Sequence, residues 1–481
     1  MLLGTPALAD LTPQQAFDSW KSAFTAPNAS FTFATQATIG GKIVVKGIAL
    51  GVKSTKIDLS VKLDEVDFAD AGNGTVAITL PKTIPATLTI SGVSAPMADV
   101  TLRLDQTGQT LTASGTPGAI TYIATAETAI LTLNAKSPFF ALTGTEALTA
   151  LTSTTSVQTS ANGTRSWVSD GTSGSSQVIY TNTMPNRTTK GDYHGANGTT
   201  HFQLVLPSAP DKDLGVALQK GLVMAMDVTS GRSTSTSTTT RNGIAQSNAT
   251  QSGPLTIATK INADGLQAST RATDYIQTMT GVPHLPGPVT IKVPSLSANI
   301  VMPLLASPTD SDVAVSFHLA GLTLDDALWA RLDPHGDLPH DAISADIDLT
   351  GKAHLDQGVS NVPINQKAPV GKIDQLTVNH LDLSGAGLAY TSTGSFAFDV
   401  TGPDIAPNLP ATSGTYDAKA SGANQLLDSL AKMGLVPPRG MQLALLMLAM
   451  LTRVGDQPDG LTSHIAIKPD GSIFANGQQI K

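Results

Sequence analysis

The sequence predicts a mainly β protein with a few helices, built on an elongated, curved antiparallel sheet of groove or sandwich type. Three observations predict it. Apolar and polar residues alternate with period two along much of the chain, as on half-buried strands. Charged residues are only 14%, well under the roughly 25% of an average soluble domain, and Thr, Ser, Ala and Gly fill the deficit. Helical periodicity is confined to three places, near the N-terminus, in the middle and near the C-terminus.

Taken in order, the first stretch is Met1 to Ala9. Ala7 and Ala9, just ahead of Asp10, have the small-residue spacing of a signal-peptidase site. Residues 1–9 are therefore expected to be the remnant of a signal peptide, on a protein exported to the periplasm. Thr12 to Phe24 is expected to be a short helix, with Thr12 as N-cap and Pro13 at the first helical position. Ile57, Leu59, Val61 and Leu63 then alternate with Asp58, Ser60, Lys62 and Asp64. Asp70 to Gly74 reads as a turn, after which Val76, Ile78 and Leu80 resume the alternation. This grammar continues through an N-terminal half, residues 10–206. Within it, Ser169 to Thr200 is expected to form strands with long polar turns.

The C-terminal half, residues 207–481, opens with helical periodicity from Asp211 to Met226. The run Thr229 to Thr240 suits either a linker or an exposed strand. Gly281 to Pro294, with Pro283, Pro286, Pro288 and Pro294, is expected to be extended and outside any sheet interior. Asp325-Asp326 ahead of Ala327-Leu328-Trp329 marks a helix N-terminus, with Trp329 as a core anchor. Ile343 to Leu355 alternates as a long strand with one wet face, and Ser395 to Val400 forms another. Two helices follow, Asn424 to Met433 and Met441 to Leu451. A hairpin through Pro469-Asp470-Gly471 ends the chain.

Composition excludes whole classes of function. With no cysteine, the chain has no disulfide, thiol nucleophile or thiolate zinc site. The net charge of -8 carries no basic cluster, which argues against nucleic acid as a partner and against docking on anionic lipid headgroups. No apolar run reaches the roughly 18 residues of a transmembrane helix. An outer-membrane barrel is disfavoured because aromatic girdles are missing. There is no Gly-x-Ser-x-Gly elbow, phosphate loop or dinucleotide fingerprint.

The polar candidates are weak. Asp333, His335, Asp337, His340 and Asp341 could ligate zinc or manganese, the basis of a metal-dependent hydrolase reading. Pro334, Gly336 and Pro339 mark the same stretch as an ordinary turn. Asp346, Asp348 and His354 share one strand face with Lys352, and would do acid–base work only if desolvated. No catalytic residue, cofactor or metal is therefore expected. The one feature with functional leverage is the helix from Met441 to Leu451, apolar on every side. Such a helix either packs in the core under a sheet or lines an apolar groove. The second option makes Met441, Leu445, Leu448 and Met450 candidates to contact an apolar or lipidic ligand, with Met447 adding to an adaptable lining.

Two blocks carry a family resemblance. The first is Leu324 to Pro334, then Leu338 to Asp341 and Ile347 to Gly351. The second is Gly422, Leu426-Leu427-Asp428, Met433 to Pro437, Leu461-Thr462-Ser463, Asp470-Gly471 and Ala475 to Gln478. In order and spacing they resemble DUF 2125, a family of alphaproteobacterial exported proteins, over roughly residues 320 to 481. The resemblance implies an exported β-rich protein and no catalytic residues. Its helix-plus-hairpin ending is similar to AsmA-like envelope proteins, which implies a groove that handles lipid. The expected function is a non-catalytic envelope protein binding or escorting an apolar ligand, with a structural or adhesin-like β protein as the alternative.

Overall fold

The structure, a computed structural model, describes residues 10–23, 29–54, 57–91, 96–209, 211, 213–283, 285, 287–359, 371–399, 411–457 and 459–481. The expected signal remnant at 1–9 lies outside them. The chain is 67% strand and 11% helix, and its strand pairings are antiparallel. It divides into two compact units, Met1–Pro254 and Leu255–Lys481.

The first unit begins with helix α1, Pro13–Ala23. Thr12 Oγ1 accepts from the Gln15 amide at 3.3 Å, and Gln15 Oε1 accepts from the Thr12 amide at 2.9 Å. This reciprocal pair is a capping box that satisfies two otherwise orphaned N–H groups. The inner face of α1 closes over strands Lys42–Lys53, Ile57–Gly72 and Thr75–Thr79. Ala16, Phe17, Val45, Ile48, Val66, Phe68 and Val76 form a water-free core there. Phe17 meets Phe31, Phe33 and Phe68 edge-on at 5.6 to 6.0 Å between ring centres, the geometry favoured by ring quadrupoles. The expected turn is present, with Gly72, Asn73 and Gly74 all at positive φ.

Beyond this core, Ala119–Lys136, Ala141–Thr159, Arg165–Met184 and Arg187–Leu206 run side by side as strands of 18 to 20 residues. Their abundant hydroxyls pair across strands. Thr110–Thr125, Thr152–Thr172 and Thr149–Ser175 are each 2.7 Å apart. With few side chains fully buried along these strands, main-chain ladders and cross-strand hydroxyl pairs add to what burial supplies. The polar turns expected between Ser169 and Thr200 are short. Met184 pairs with Arg187, so only Pro185 and Asn186 lie at the bend.

The helix expected over 211–226 is much shorter. α2 spans Leu214–Gln219, capped by the Asp213 carboxylate accepting from Val216 N at 3.0 Å. Gly221, at φ +99°, ends it: Gly221 N donates to Leu218 O and Leu222 N to Ala217 O. That double closure is a Schellman motif, and Val223–Ser230 leaves it as a strand. The Thr/Ser run continues as strand Ser233–Arg241, paired with Arg187–Gly195 on one side and Ile244–Ser252 on the other.

In the second unit, strands Gly265–Thr280, Val289–Met302, Ser311–Leu324, Ile343–Leu355, Gly371–Gly385, Leu388–Asp399, Ala411–Ser421 and Gly460–Ile467 pair successively. Pro294 corrects the expectation for its segment, since it lies inside a strand paired on both sides. It is tolerated because both ladders skip it, with Asp274 opposite at φ +50° and Gly321 opposite at φ +66°. The strand expected at Ser395–Val400 is the end of Leu388–Asp399, with Val400 outside the described residues. Helix α3, Asp326–Leu332, starts where expected, with Asp325 accepting from Leu328 N at 3.1 Å. Trp329 is buried, 6% exposed. Helices α4, Ala423–Lys432, and α5, Pro438–Leu451, precede the terminal hairpin of Gly460–Ile467 and Ile473–Ala475.

Candidate functional site

The apolar helix is the principal candidate, and of the two placements left open for it the structure does not show core packing. None of its residues is buried. Pro437 and Pro438 start it with φ preset and no N–H to satisfy. At its far end, Ser463 Oγ donates to Leu451 O at 2.7 Å, Asn476 Nδ2 donates to the same oxygen at 3.0 Å, and Thr452 Oγ1 donates to Leu448 O at 2.6 Å. These donors take up carbonyls that a helix C-terminus leaves open.

α5 packs on α4 and on strand Gly460–Ile467. The stripe facing inward is Met441, Ala444, Leu448 and Leu451, all half-buried. The rest faces out: Leu443 is 60% and Leu446 56% exposed, with Leu445, Met447 and Met450 close behind. The four predicted contact residues therefore divide. Met441 and Leu448 hold the helix to the protein, whereas Leu445 and Met450 are presented to the surroundings. Sequence reasoning missed Leu443 and Leu446, because an all-apolar helix does not reveal which of its faces the fold uses.

Exposed Leu435 and Val454 extend the patch beyond both helix ends. From Met433 to Gly455 there is no acidic residue, and the only charges are Arg439 and Arg453. No helix among the described residues is long and apolar enough to cross a membrane.

α4 is tied to the loop that carried the metal expectation. Its buried Ser429 donates to Asp337 O at 2.7 Å. In that loop the Asp333 carboxylate accepts from Asp337 N at 2.9 Å and Leu338 N at 2.8 Å. Burial pushes the Asp333 carboxyl up, but those amides and nearby His340 outweigh it, so its pKa falls below the usual value. His340 stacks on Trp329, ring centres 4.4 Å apart and planes 5° from parallel. Its Nε2 lies 3.6 Å from Asp333 Oδ2. His335 is exposed. The Asp333 carboxylate closes the loop, and among the described residues neither histidine belongs to a group of three or more metal-ligating side chains.

The strand set Asp346, Asp348 and His354 is also separated. Register shifts after Asp348 and Lys352 leave Asn379 and Asp374 of the neighbouring strand without a ladder partner, and the three side chains meet different partners. Asp346 stands between His318 at 3.4 Å and His380 at 3.1 Å. Burial raises its carboxyl, but hydrogen bonds and charge from the two imidazoles prevail and lower it. The Asp346 hydrogen bond in turn raises His380. His354 turns to Asp374 at 2.7 Å and Asp310 at 3.7 Å. Among the described residues, Asp310, His354 and Asp374 are the one group close enough to hold a metal ion. The His354–Asp374 hydrogen bond holds two of the three together without one.

The first unit contains a pocket that sequence reasoning did not anticipate, a cavity of about 410 Å³ lined by Trp20, Tyr122 and Trp167 among others. Its residues are far apart in sequence and lack any local motif, so only strand register could have found it.

A model of the family described as an uncharacterised protein conserved in bacteria, DUF2125, matches residues 232–477. A search of curated proteins returns no match. Among solved structures, the chain is similar to the alcaligin outer membrane receptor FauA of Bordetella pertussis, at 9% identity over 79% of this chain and 70% of that one, with a TM-score of 0.23. A likeness that low carries no argument about fold or role.

Proposed function

The chain belongs to the DUF2125 family of uncharacterised bacterial proteins, and from that premise we propose that it is a non-catalytic, exported envelope protein that binds an apolar or lipidic ligand through α5. One observation carries the reading: a two-ended, anchored helix turns Leu443, Leu445, Leu446, Met447 and Met450 away from the protein. A contiguous exposed apolar patch marks a surface that something else covers. Each such side chain gains about 1.5–3 kcal/mol on full burial, so covering even part of this patch favours binding by several-fold to many-fold. Two exposed thioethers, Met447 and Met450, suit a ligand of variable shape.

Native mass spectrometry of the protein purified from membranes is expected to find co-bound lipid. Leu443→Gln/Leu446→Gln/Met450→Gln is expected to cut recovery of that lipid, and binding to phosphatidylglycerol-containing vesicles, at least tenfold. Because these side chains are exposed, the thermal midpoint is expected to stay within about 2 °C, consistent with surface changes of about 0.5 kcal/mol. Unchanged vesicle and lipid binding in this variant removes the reading.

A structural, adhesin-like role is the second reading, favoured by the hydroxyl-paired strands of the first unit. It expects those strands to be cleaved by protease added to intact cells, and full protection there eliminates it.

A further inference from the structure

We infer that the cavity between α1 and the sheet of the first unit binds a single-chain anionic amphiphile, with Arg165 meeting the head group and Trp20, Leu111, Val157 and Trp167 covering the chain. The apolar-ligand reading suggests such a ligand class, but the site is separate from α5 and stands on its own geometry.

The cavity concentrates a scarce resource. Aromatic residues are 4% of the chain and tryptophans number three, yet Trp20 and Trp167 both line this space, with Tyr122 beside them. Trp20 and Tyr122 also pack against the core, whereas Trp167 does not belong to it. Trp20 packs edge-on against Phe68 at 5.6 Å and also forms part of the cavity wall. At about 410 Å³, the space falls within the roughly 300–1,000 Å³ typical of small-molecule sites, which are apolar with a few placed polar groups.

Strand register gives the cavity a direction. Ile120 lies opposite Val157, Val157 opposite Trp167, Trp167 opposite Leu204, and Leu204 opposite Met224. Directly opposed residues share a sheet face, so one apolar row crosses five strands. It starts at Ile120, buried in the core, and continues through Val157, Trp167, Leu204 and Met224, all half-buried. One row along, Phe202 and Met226 are opposed and both exposed. A hydrocarbon chain laid on this row would cover surface that the fold leaves wet.

The polar end is equally specific. Arg165, two residues before Trp167, shares its face, and its guanidinium donates to the Ser22 carbonyl. It is the one charged residue lining the cavity, and no carboxylate lines it. Ser19 and Tyr122 add hydroxyls, 3.3 Å apart. One anchored cation beside an apolar wall favours an anion on the end of a chain over either a neutral oil or a polar solute.

The test uses tryptophan quenching by bromostearate in the full chain carrying Trp329→Phe, which leaves Trp20 and Trp167 as reporters. Saturable quenching at a single class of site is expected. Arg165→Gln should weaken bromostearate at least tenfold while leaving its methyl ester within about twofold. Val157→Phe, which fills the cavity, should weaken both. Unlabelled oleate and a lysophosphatidylglycerol of the same chain length then compete, distinguishing a free fatty acid from a lysophospholipid. The Leu443→Gln/Leu446→Gln/Met450→Gln variant should quench like the parent, so loss of the α5 reading and loss of this one are separable. Non-saturable quenching, displacement by neither competitor, or equal effects of Arg165→Gln on acid and ester each overturn the inference. Quenching in the unsubstituted chain needs no variant to fold, so misfolding of Val157→Phe cannot rescue it.

Discussion

The two units use the same strand alternation for different ends. Under α1, strand faces are apolar and closed, and Phe17, Phe68, Val45, Val66 and Val76 lose essentially all contact with water. In the second unit the strands alternate as regularly, but many facing pairs are polar. His318 faces Asp346, Asp417 faces His464 at 2.7 Å, and Lys352 faces Asp312 at 2.7 Å. Its most apolar element, α5, stays on the outside. The contrast teaches that alternation specifies strands but not what covers them. In the first unit the chain supplies its own cover in α1, whereas in the second the outer face of α5 stays exposed.

This contrast can be broken at several points. The largest effect is expected from Phe17→Ala, which removes the ring that three others meet edge-on and should cost about 3–5 kcal/mol by urea unfolding. A loss under about 1 kcal/mol would mean the α1 core is not the unit's main source of stability. Trp329→Ala is the nearest equivalent in the second unit. It should cost slightly less, about 3 kcal/mol, because His340 covers one ring face and the site is smaller.

The polar pairs should respond to pH instead. His380 has a raised pKa, so its contribution is complete below the ordinary imidazole value near 6.5 and fades as pH rises through the raised value. Asp346 is lowered, so its contribution is present above about 3.9 and fades as pH falls through the lowered value. The thermal midpoint of the second unit is therefore expected to be highest between those limits and to decline on the alkaline side. His380→Gln should flatten that decline. Both groups are largely exposed, so solvent keeps the effect modest. The smallest change is expected from Thr152→Ala, which removes one hydroxyl of the Thr152–Thr172 pair. It should cost about 0.2–1 kcal/mol in unfolding experiments, and a much larger loss would make the hydroxyl pairs structural anchors.

Several elements were legible directly. Thr12 and Pro13 announced α1, Asp325 announced α3, and Asp470-Gly471 announced the last hairpin, because caps and turns are satisfied by neighbours in sequence. The α2 region misled, since the periodicity from 211 to 226 continued past Gly221, where the backbone turns left-handed and the chain becomes strand. Pro294 misled for the opposite reason. Its fixed φ and missing donor argue against a paired strand, yet distant Asp274 and Gly321 supply the irregularities that admit it. The candidate residues were legible only as members of one apolar helix. Met441 and Leu448 face inward and Leu445 and Met450 outward, while Leu443 and Leu446 are its most exposed large apolar side chains.

By itself the sequence determined the β class, the absence of thiol chemistry, the helix caps and the all-apolar character of α5, because each depends on residue type and short-range spacing. Only the tertiary structure decided which face of α5 is spent on α4 and strand Gly460–Ile467. Tertiary structure likewise decided which carboxylate each histidine meets, and that Trp20, Trp167 and Arg165 surround one cavity. Those outcomes depend on strand register between segments tens of residues or more apart, and a slip of a single residue would send every side chain concerned to the opposite face.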